Sequence, residues 1–252
     1  MRIWLAAAPE ELNEAKGYTS QLAHAAYRIG EDGTLLAKPL PSALRGGLML
    51  VTGGGERLPE DTLCRELMRR CLQHGFSGII LDLDAQCGAL IRKMERLARQ
   101  YGRRLYVPEA YADASESATI LICTALSGGS LQQRLEQAAA RFGAARIALD
   151  LQRLAMDFPL PCPGGMGTPL SIDQLHQLMG GHAVYFSDGL CAHYFTHRQG
   201  GSTHFVLFDD ADTLRRKMEM GQQLGISEGF VMFPETADIL PQLFAAEQKE
   251  RS

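Results

Sequence analysis

The sequence predicts a single TIM-type (β/α)8 barrel over residues 1–252, with a β-hairpin insertion before the last helix and strand. Three observations point there. Short apolar runs recur, most of them apolar throughout, which is the pattern of parallel strands buried on both faces. Amphipathic helices alternate with these runs, which implies right-handed βαβ units. The length, 252 residues, is the usual size of such a barrel.

The strand candidates are residues 3–7, 23–28, 48–52, 79–84, 105–107, 119–126, 146–151, 183–186 and 230–233. Nine runs compete for eight places. The run 183–186 is assigned outside the barrel because it adjoins a hairpin. That hairpin runs 191–198, turns at Gln199-Gly200-Gly201-Ser202 and returns over 203–208, and its Gly-Gly centre suits a two-residue turn. The insertion is therefore placed at 183–208.

Four helices are marked by apolar residues recurring at helical spacing. The first, 61–74, carries Cys64, Leu67, Met68, Cys71 and Leu72 and stops at Gly75. The second, 88–101, carries Leu90, Met94, Leu97 and Tyr101. The third, 130–142, opens on Ser130 as N-cap and stops at Gly143. The fourth, 209–224, opens on Asp209 and Asp210 and carries Leu214, Met218 and Leu224.

Composition excludes several function classes. The chain is 46% hydrophobic and 21% charged, with net charge -4, and it has no basic block. Neither a nucleic-acid partner nor a membrane partner is expected. The first residues, MRIWLAAAPEELNE, hold an apolar run too short for a signal-peptide core or a membrane span. The six cysteines are scattered without a CxxC, so free thiols in a reducing, cytoplasmic setting are expected. No cofactor and no metal are expected.

In such barrels the working side chains sit at strand C-termini and in the loops that follow. Polar residues ending apolar runs are therefore the candidates: Thr52, Asp82, Asp84, Glu109, Asp150, Gln152 and Glu235. Most are carboxylates, suited to acid–base work, metal binding or recognition of sugar hydroxyls. Asp82 and Asp84 are two apart on a strand and so share a face. Two carboxylates close together inside a mouth should split their pKa values; otherwise Asp84 caps a turn.

The segment Gly75-Phe76-Ser77-Gly78-Ile79-Ile80-Leu81-Asp82-Leu83-Asp84 resembles the strand-four motif of the family 18 glycoside hydrolases, Asp-x-x-Asp-x-Asp-x-Glu after Gly-Phe. Val51-Thr52-Gly53-Gly54-Gly55 resembles their strand-three Ser-x-Gly-Gly. Residues 194–235 resemble their C-terminal stretch, with Phe208-Asp209-Asp210, a helix bearing Lys217, and Gly229-Phe230-Val231-Met232-Phe233. The resemblance is closest to the bacterial spore-associated branch and covers residues 45–235.

It implies a barrel acting on or binding N-acetylglucosamine-containing glycan, with Asp84 and Asp82 as the catalytic pair. Thr52, Gly54, Glu109, Tyr111, Asp150, Gln152 and Glu235 are taken as substrate-binding residues, and a spore or cell-wall role is implied. The chain departs from the family pattern. Asp84 stands where the family has its general-acid Glu, Asp82 matches the Asp that orients the N-acetyl group, and Ser77 and Ile80 replace the two earlier Asp residues. The strand-six Met-x-Tyr-Asp is matched by Ile147-Ala148-Leu149-Asp150, which puts Leu149 in the place of Tyr. The final-strand Trp is absent, the single Trp being Trp4.

Asp is shorter than Glu by about 1.5 Å, and a misplacement near 1 Å can cost about a hundredfold in rate. Three functional readings stand: a barrel that binds or weakly hydrolyses such glycan, an inactive barrel kept as a binding or assembly module, and a hydrolase using Glu109 or Glu235 as its acid.

Three other features bear on function. His193, His197 and His204 share one face of the hairpin, but no carboxylate or cysteine completes a metal set and solvated imidazoles are expected. Gly53-Gly54-Gly55 either cradles phosphate or allows a tight turn. The Pro/Gly-rich stretch 157–165 is read as an active-site rim or a plain connector.

Overall fold

The structure, a computed structural model, describes residues 1–40, 46–55, 59–84, 87–162 and 165–245. Its core is a closed parallel barrel. The strands are β1 (Arg2–Ala7), β2 (Leu22–Ile29), β4 (Leu48–Gly53), β5 (Gly78–Leu83), β6 (Arg104–Pro108), β7 (Thr119–Cys123), β8 (Ile147–Asp150) and β14 (Glu228–Met232). They neighbour one another in that order, β14 pairs with β1, and β1 pairs with β2 to close the ring. A ninth strand, β3 (Leu35–Ala37), lies antiparallel against the far half of β2.

The expected helices appear as α2 (Glu60–Gln73), α3 (Gly88–Gln100), α4 (Leu131–Phe142) and α6 (Ala211–Gln223). Short helices α1 (Leu12–Ala15), α7 (Phe233–Thr236) and α8 (Leu240–Leu243), and a 3-10 segment at Glu109–Ala114, fill other connections. Ser130 caps α4 by accepting from the Gln133 amide. Among the described residues no helix is long and apolar enough to cross a membrane.

Alternation along the strands sorts the core into two layers. One set packs inside the ring: Trp4, Ala6, Leu48, Leu50, Ile80, Tyr106, Ala148 and Phe230. Small residues face large ones there, as an interior filled by side chains requires. The other set, including Leu5, Met49, Ile79, Leu81, Val107, Ile120 and Leu149, packs outward with the helices. Each such buried aliphatic side chain stabilises the fold by about 1.5–3 kcal/mol. At the N-terminal end of the barrel, Glu228 accepts from Tyr106 Oη at 2.8 Å and from Arg104 Nη1 at 2.6 Å. The Arg104 guanidinium lies over the Trp4 and Tyr106 rings, so this end is closed by a polar plug and the opposite end is left open.

The insertion is larger than the hairpin expected at 183–208. The hairpin is β12 (Ala192–Gln199) and β13 (Ser202–Phe208), with His197 opposite His204. Around it stand β9 (Ala155–Leu160), β10 (Thr168–Pro169) and β11 (Tyr185–Ser187), giving a five-stranded sheet in the order β10-β9-β13-β12-β11. The excursion therefore begins at Ala155.

The stretch read as a loop from Asp157 onward is strand through Leu160, and residues 163–164 of it lie outside the described residues. Pro159 lies within this strand. It is tolerated because β10 pairs only with Met156 and Asp157, which leaves the outer side of Pro159 at a sheet edge where no amide is needed. One face of this sheet carries Phe158, Ala192 and Leu207, with Ala125 of the barrel packed against them. The other face is covered by α5 (Ile172–Met179), whose Leu175 packs on Phe195, Val206 and Phe208.

Candidate active site at the barrel mouth

The C-terminal ends of the strands surround a cavity of about 400 Å³. Its walls include Thr52, Asp82, Glu109, Asp150, Gln152 and Glu235, over a floor of Leu50, Ile80, Leu121 and Phe230. Register explains the convergence. Thr52 on β4 is paired with Asp82 on β5, and Asp150 on β8 is paired with Cys123 on one side and Phe230 on the other. Each is the first polar residue on the inward face after a run of apolar ones, so each enters the cavity where the packed interior stops.

Asp150 is the most perturbed carboxyl of this group. Burial pushes it up to about 7, and the charges of Asp82 and Glu235 add to the effect while a hydrogen bond from Gln152 opposes it. Asp82 is also raised, by desolvation first and by Asp84 second. Glu235 is raised by desolvation and held back by Arg153. Asp82 and Glu235 are reached by solvent through the open mouth, yet the concave walls replace much of their water. The site therefore retains protons that isolated carboxyls would have lost.

Glu109 is placed differently. Its Oε2 accepts from Arg134 Nη2 at 2.7 Å, and Arg134 Nε also reaches the Cys123 carbonyl at 3.3 Å. An ion pair at the rim suits positioning better than proton delivery.

Three expected site residues do not line the cavity. Asp84 follows the end of β5, exposed at the rim, its amide donating to the Gly53 carbonyl at 3.2 Å. It shares a face with Asp82 but stands one step further out, so its charge influences Asp82 without forming the wall. Tyr111 packs with the outer layer, and its hydroxyl donates to the Leu83 carbonyl at 2.9 Å. Gly54 belongs to the turn after β4. A Cβ at Gly53 would lie 2.6 Å from the Ile29 carbonyl and one at Gly55 2.2 Å from that of Glu31. The glycine run is thus explained by close packing on the end of β2.

Sequence reasoning missed Arg134, Cys123, Met232 and Pro108 as wall residues. Arg134 had a signal. It lies four residues after the Ser130 cap, in the first turn of a helix that begins at the mouth end of its βα unit. A long polar side chain there can reach the rim.

Leu149 also differs from expectation. It is fully buried and faces α6, where its Cδ1 is 2.8 Å from the position a Cβ on Gly221 would take. Ala148 and Asp150 take the inward positions on β8, so the residue matched to the family Tyr points away from the mouth.

No protein-family model matches the chain, and no curated protein sequence does. Solved structures do. The chitinase of Chromobacterium violaceum superposes with a TM-score of 0.70 at 16% identity, over 97% of this chain and 98% of that one. The chain has the chitinase-type barrel fold. The spore cortex-lytic enzyme SleL of Bacillus megaterium superposes with a TM-score of 0.69 at 16% identity, over 98% of this chain and 73% of that one. A human pseudo-chitinase described as retaining chitooligosaccharide binding does so at 0.65 and 11% identity, over the whole of both chains. The chitinase-type barrel is shared with a chitinase, a cortex-lytic enzyme and a pseudo-chitinase, so the site and not the fold must carry the functional argument.

Proposed function

We propose that the mouth binds an N-acetylglucosamine-containing glycan of the cell-wall or spore-cortex type. One observation carries the reading: a carboxyl whose pKa burial raises to about 7, Asp150, set among carboxyls over an apolar floor of Phe230 and Leu121. A sugar presents hydroxyls that both donate and accept and an apolar ring face. A neutral carboxyl donates, ionised ones accept, and Phe230 with Met232 offers apolar contact. The fold's other holders, a chitinase, a cortex-lytic enzyme and a chitooligosaccharide-binding pseudo-chitinase, support the same ligand class.

The test is calorimetric titration with N-acetylglucosamine oligomers. We expect weak binding, millimolar to high-micromolar, worth about 4–6 kcal/mol, and its loss in Asp82→Asn paired with Asp150→Ala. Absence of heat and of a thermal shift with every oligomer would leave an assembly module as the better reading.

A second reading, hydrolysis, is favoured by Asp150 itself. It keeps a proton near neutral pH and stands with Asp82 and Glu235, which supplies an acid and a base without Asp84. Turnover of a chromogenic oligomer that is abolished by Asp150→Asn and spared by Asp84→Asn would support it.

A further inference from the structure

We propose that Asp157, His197 and His204 form a binding site for a divalent transition metal in the inserted sheet, with zinc the ion their chemistry suits. The three residues come from three adjacent strands, β9, β12 and β13. His197 and His204 are direct cross-strand partners, with ring centroids 4.9 Å apart. Asp157 pairs with Val206, two residues from His204, so it lies diagonally on the same face. One ligand atom from each residue lies within 4.8 Å of the other two.

The spacing fits a metal better than it fits a hydrogen-bonded cluster. Asp157 Oδ2 is 2.9 Å from His204 Nδ1, but Asp157 Oδ1 is 3.6 Å from His197 Nε2. The first is a hydrogen bond and the second is too long for one. His197 is buried, and its Nε2 has no hydrogen-bond partner. An unpaired buried nitrogen is costly, and it is aimed at the carboxylate. A tetrahedral ion with ligands at about 2.0–2.2 Å holds ligand atoms roughly 3.3 Å apart, between the two distances observed.

Two imidazoles and a carboxylate suit zinc and its first-row neighbours, whereas calcium and magnesium prefer all-oxygen cages. On binding, a neutral His204 would carry its ring proton on Nε2 in place of Nδ1, and the ion would sit between Nδ1 and Asp157, with water in the remaining position. The three residues lie on the sheet face that carries α5 and share none of the residues lining the mouth cavity. The ion would clamp β9 to the hairpin. The hairpin alone holds no carboxylate to complete the set, and β9 supplies one.

Chelator-stripped full-length protein, titrated with zinc by calorimetry, tests this. The expected result is one equivalent bound with a raised Tm. Cobalt(II) in its place should give d–d bands without thiolate charge transfer. His197→Gln, His204→Gln and Asp157→Asn should each weaken binding by more than about a hundredfold, beyond what loss of a supporting partner costs, with mouth-glycan titrations unchanged. Asp157→Asn keeps the shape of the site, so it reads the question even if a histidine variant fails to fold. Absence of saturable binding, thiolate bands from the free cysteines, or unchanged affinity in folded Asp157→Asn would overturn the proposal.

Discussion

Lys217 and Asp209 form an ion pair, Nζ to Oδ2 2.7 Å, in which both side chains are completely buried. Asp209 also accepts from the Leu154 amide at 2.9 Å and from Thr213 Oγ1 at 2.8 Å. The carboxylate thus joins the chain entering the insertion, the chain leaving it and helix α6. A buried charge needs this many partners to persist.

Lys217→Met should therefore cost about 3–5 kcal/mol in urea unfolding, because it strands a buried carboxylate. Adding Asp209→Asn should recover part of that loss, since the uncompensated charge goes with it. A loss in the double variant equal to the sum of the two single losses would show that the two residues are not coupled.

The pH dependence of stability should carry two opposed contributions. His24 is buried against Phe76, and desolvation lowers it to about 4. Its contribution is present above the unfolded value near 6.5 and is lost as pH falls toward 4. Asp150 is raised to about 7. Its contribution is present below the unfolded value near 4 and is lost as pH rises toward 7. Over pH 4–7 the two slopes oppose each other. Asp150→Asn should leave a stability that rises with pH in that window, and His24→Phe one that falls. Urea midpoints at pH 4.5, 5.5 and 6.5, about the middle of that window, read both signs.

Much of the barrel was legible because its strands are apolar on both faces and end in a polar residue. Asp82 and Asp150 were found by that rule alone. What was not legible depended on where a strand ends relative to the rim. Asp84 obeys the same alternation as Asp82, yet it stands past the wall because β5 ends at Leu83. Leu149 was matched by motif, whereas strand parity turns it outward. Asp157 was hidden by prolines that suggested a loop, and only its pairing with β13 shows it beside the histidines. Arg134 lies on a helix, so a rule that takes polar residues ending apolar runs passes over it, although the Ser130 cap marks the mouth end of that helix.

Leu149→Tyr should not build a family-like site. The larger side chain would meet Gly221 of α6, and overpacking of this kind costs about 1–3 kcal/mol. Asp84→Glu adds reach at the rim and should leave stability within about 0.5 kcal/mol, as surface changes do. Hydrolysis of a chromogenic N-acetylglucosamine oligomer should rise less than about tenfold in Asp84→Glu, alone or with Leu149→Tyr. A larger rise would show that the rim carboxyl reaches the scissile bond after all.

Glycan affinity at the mouth should follow the proton on Asp150. If the neutral carboxyl donates to a sugar hydroxyl, affinity is constant at pH 5–6 and falls above about 7, approaching tenfold per pH unit once the group is mostly ionised. The neighbours favour the neutral form, because the charges of Asp82 and Glu235 both disfavour a third. Asp150→Asn keeps a donor of nearly the same shape and removes the titration, so its affinity should match the wild type at pH 5.5 and exceed it at pH 8.5. Asp150→Ala removes the donor and should bind weakly at both. Calorimetry of the three proteins at the two pH values separates these outcomes. Wild-type affinity that is flat across the range, or an Asn variant that falls with it, would move the hydrogen bond to another wall residue, with Gln152 and Thr52 next in line.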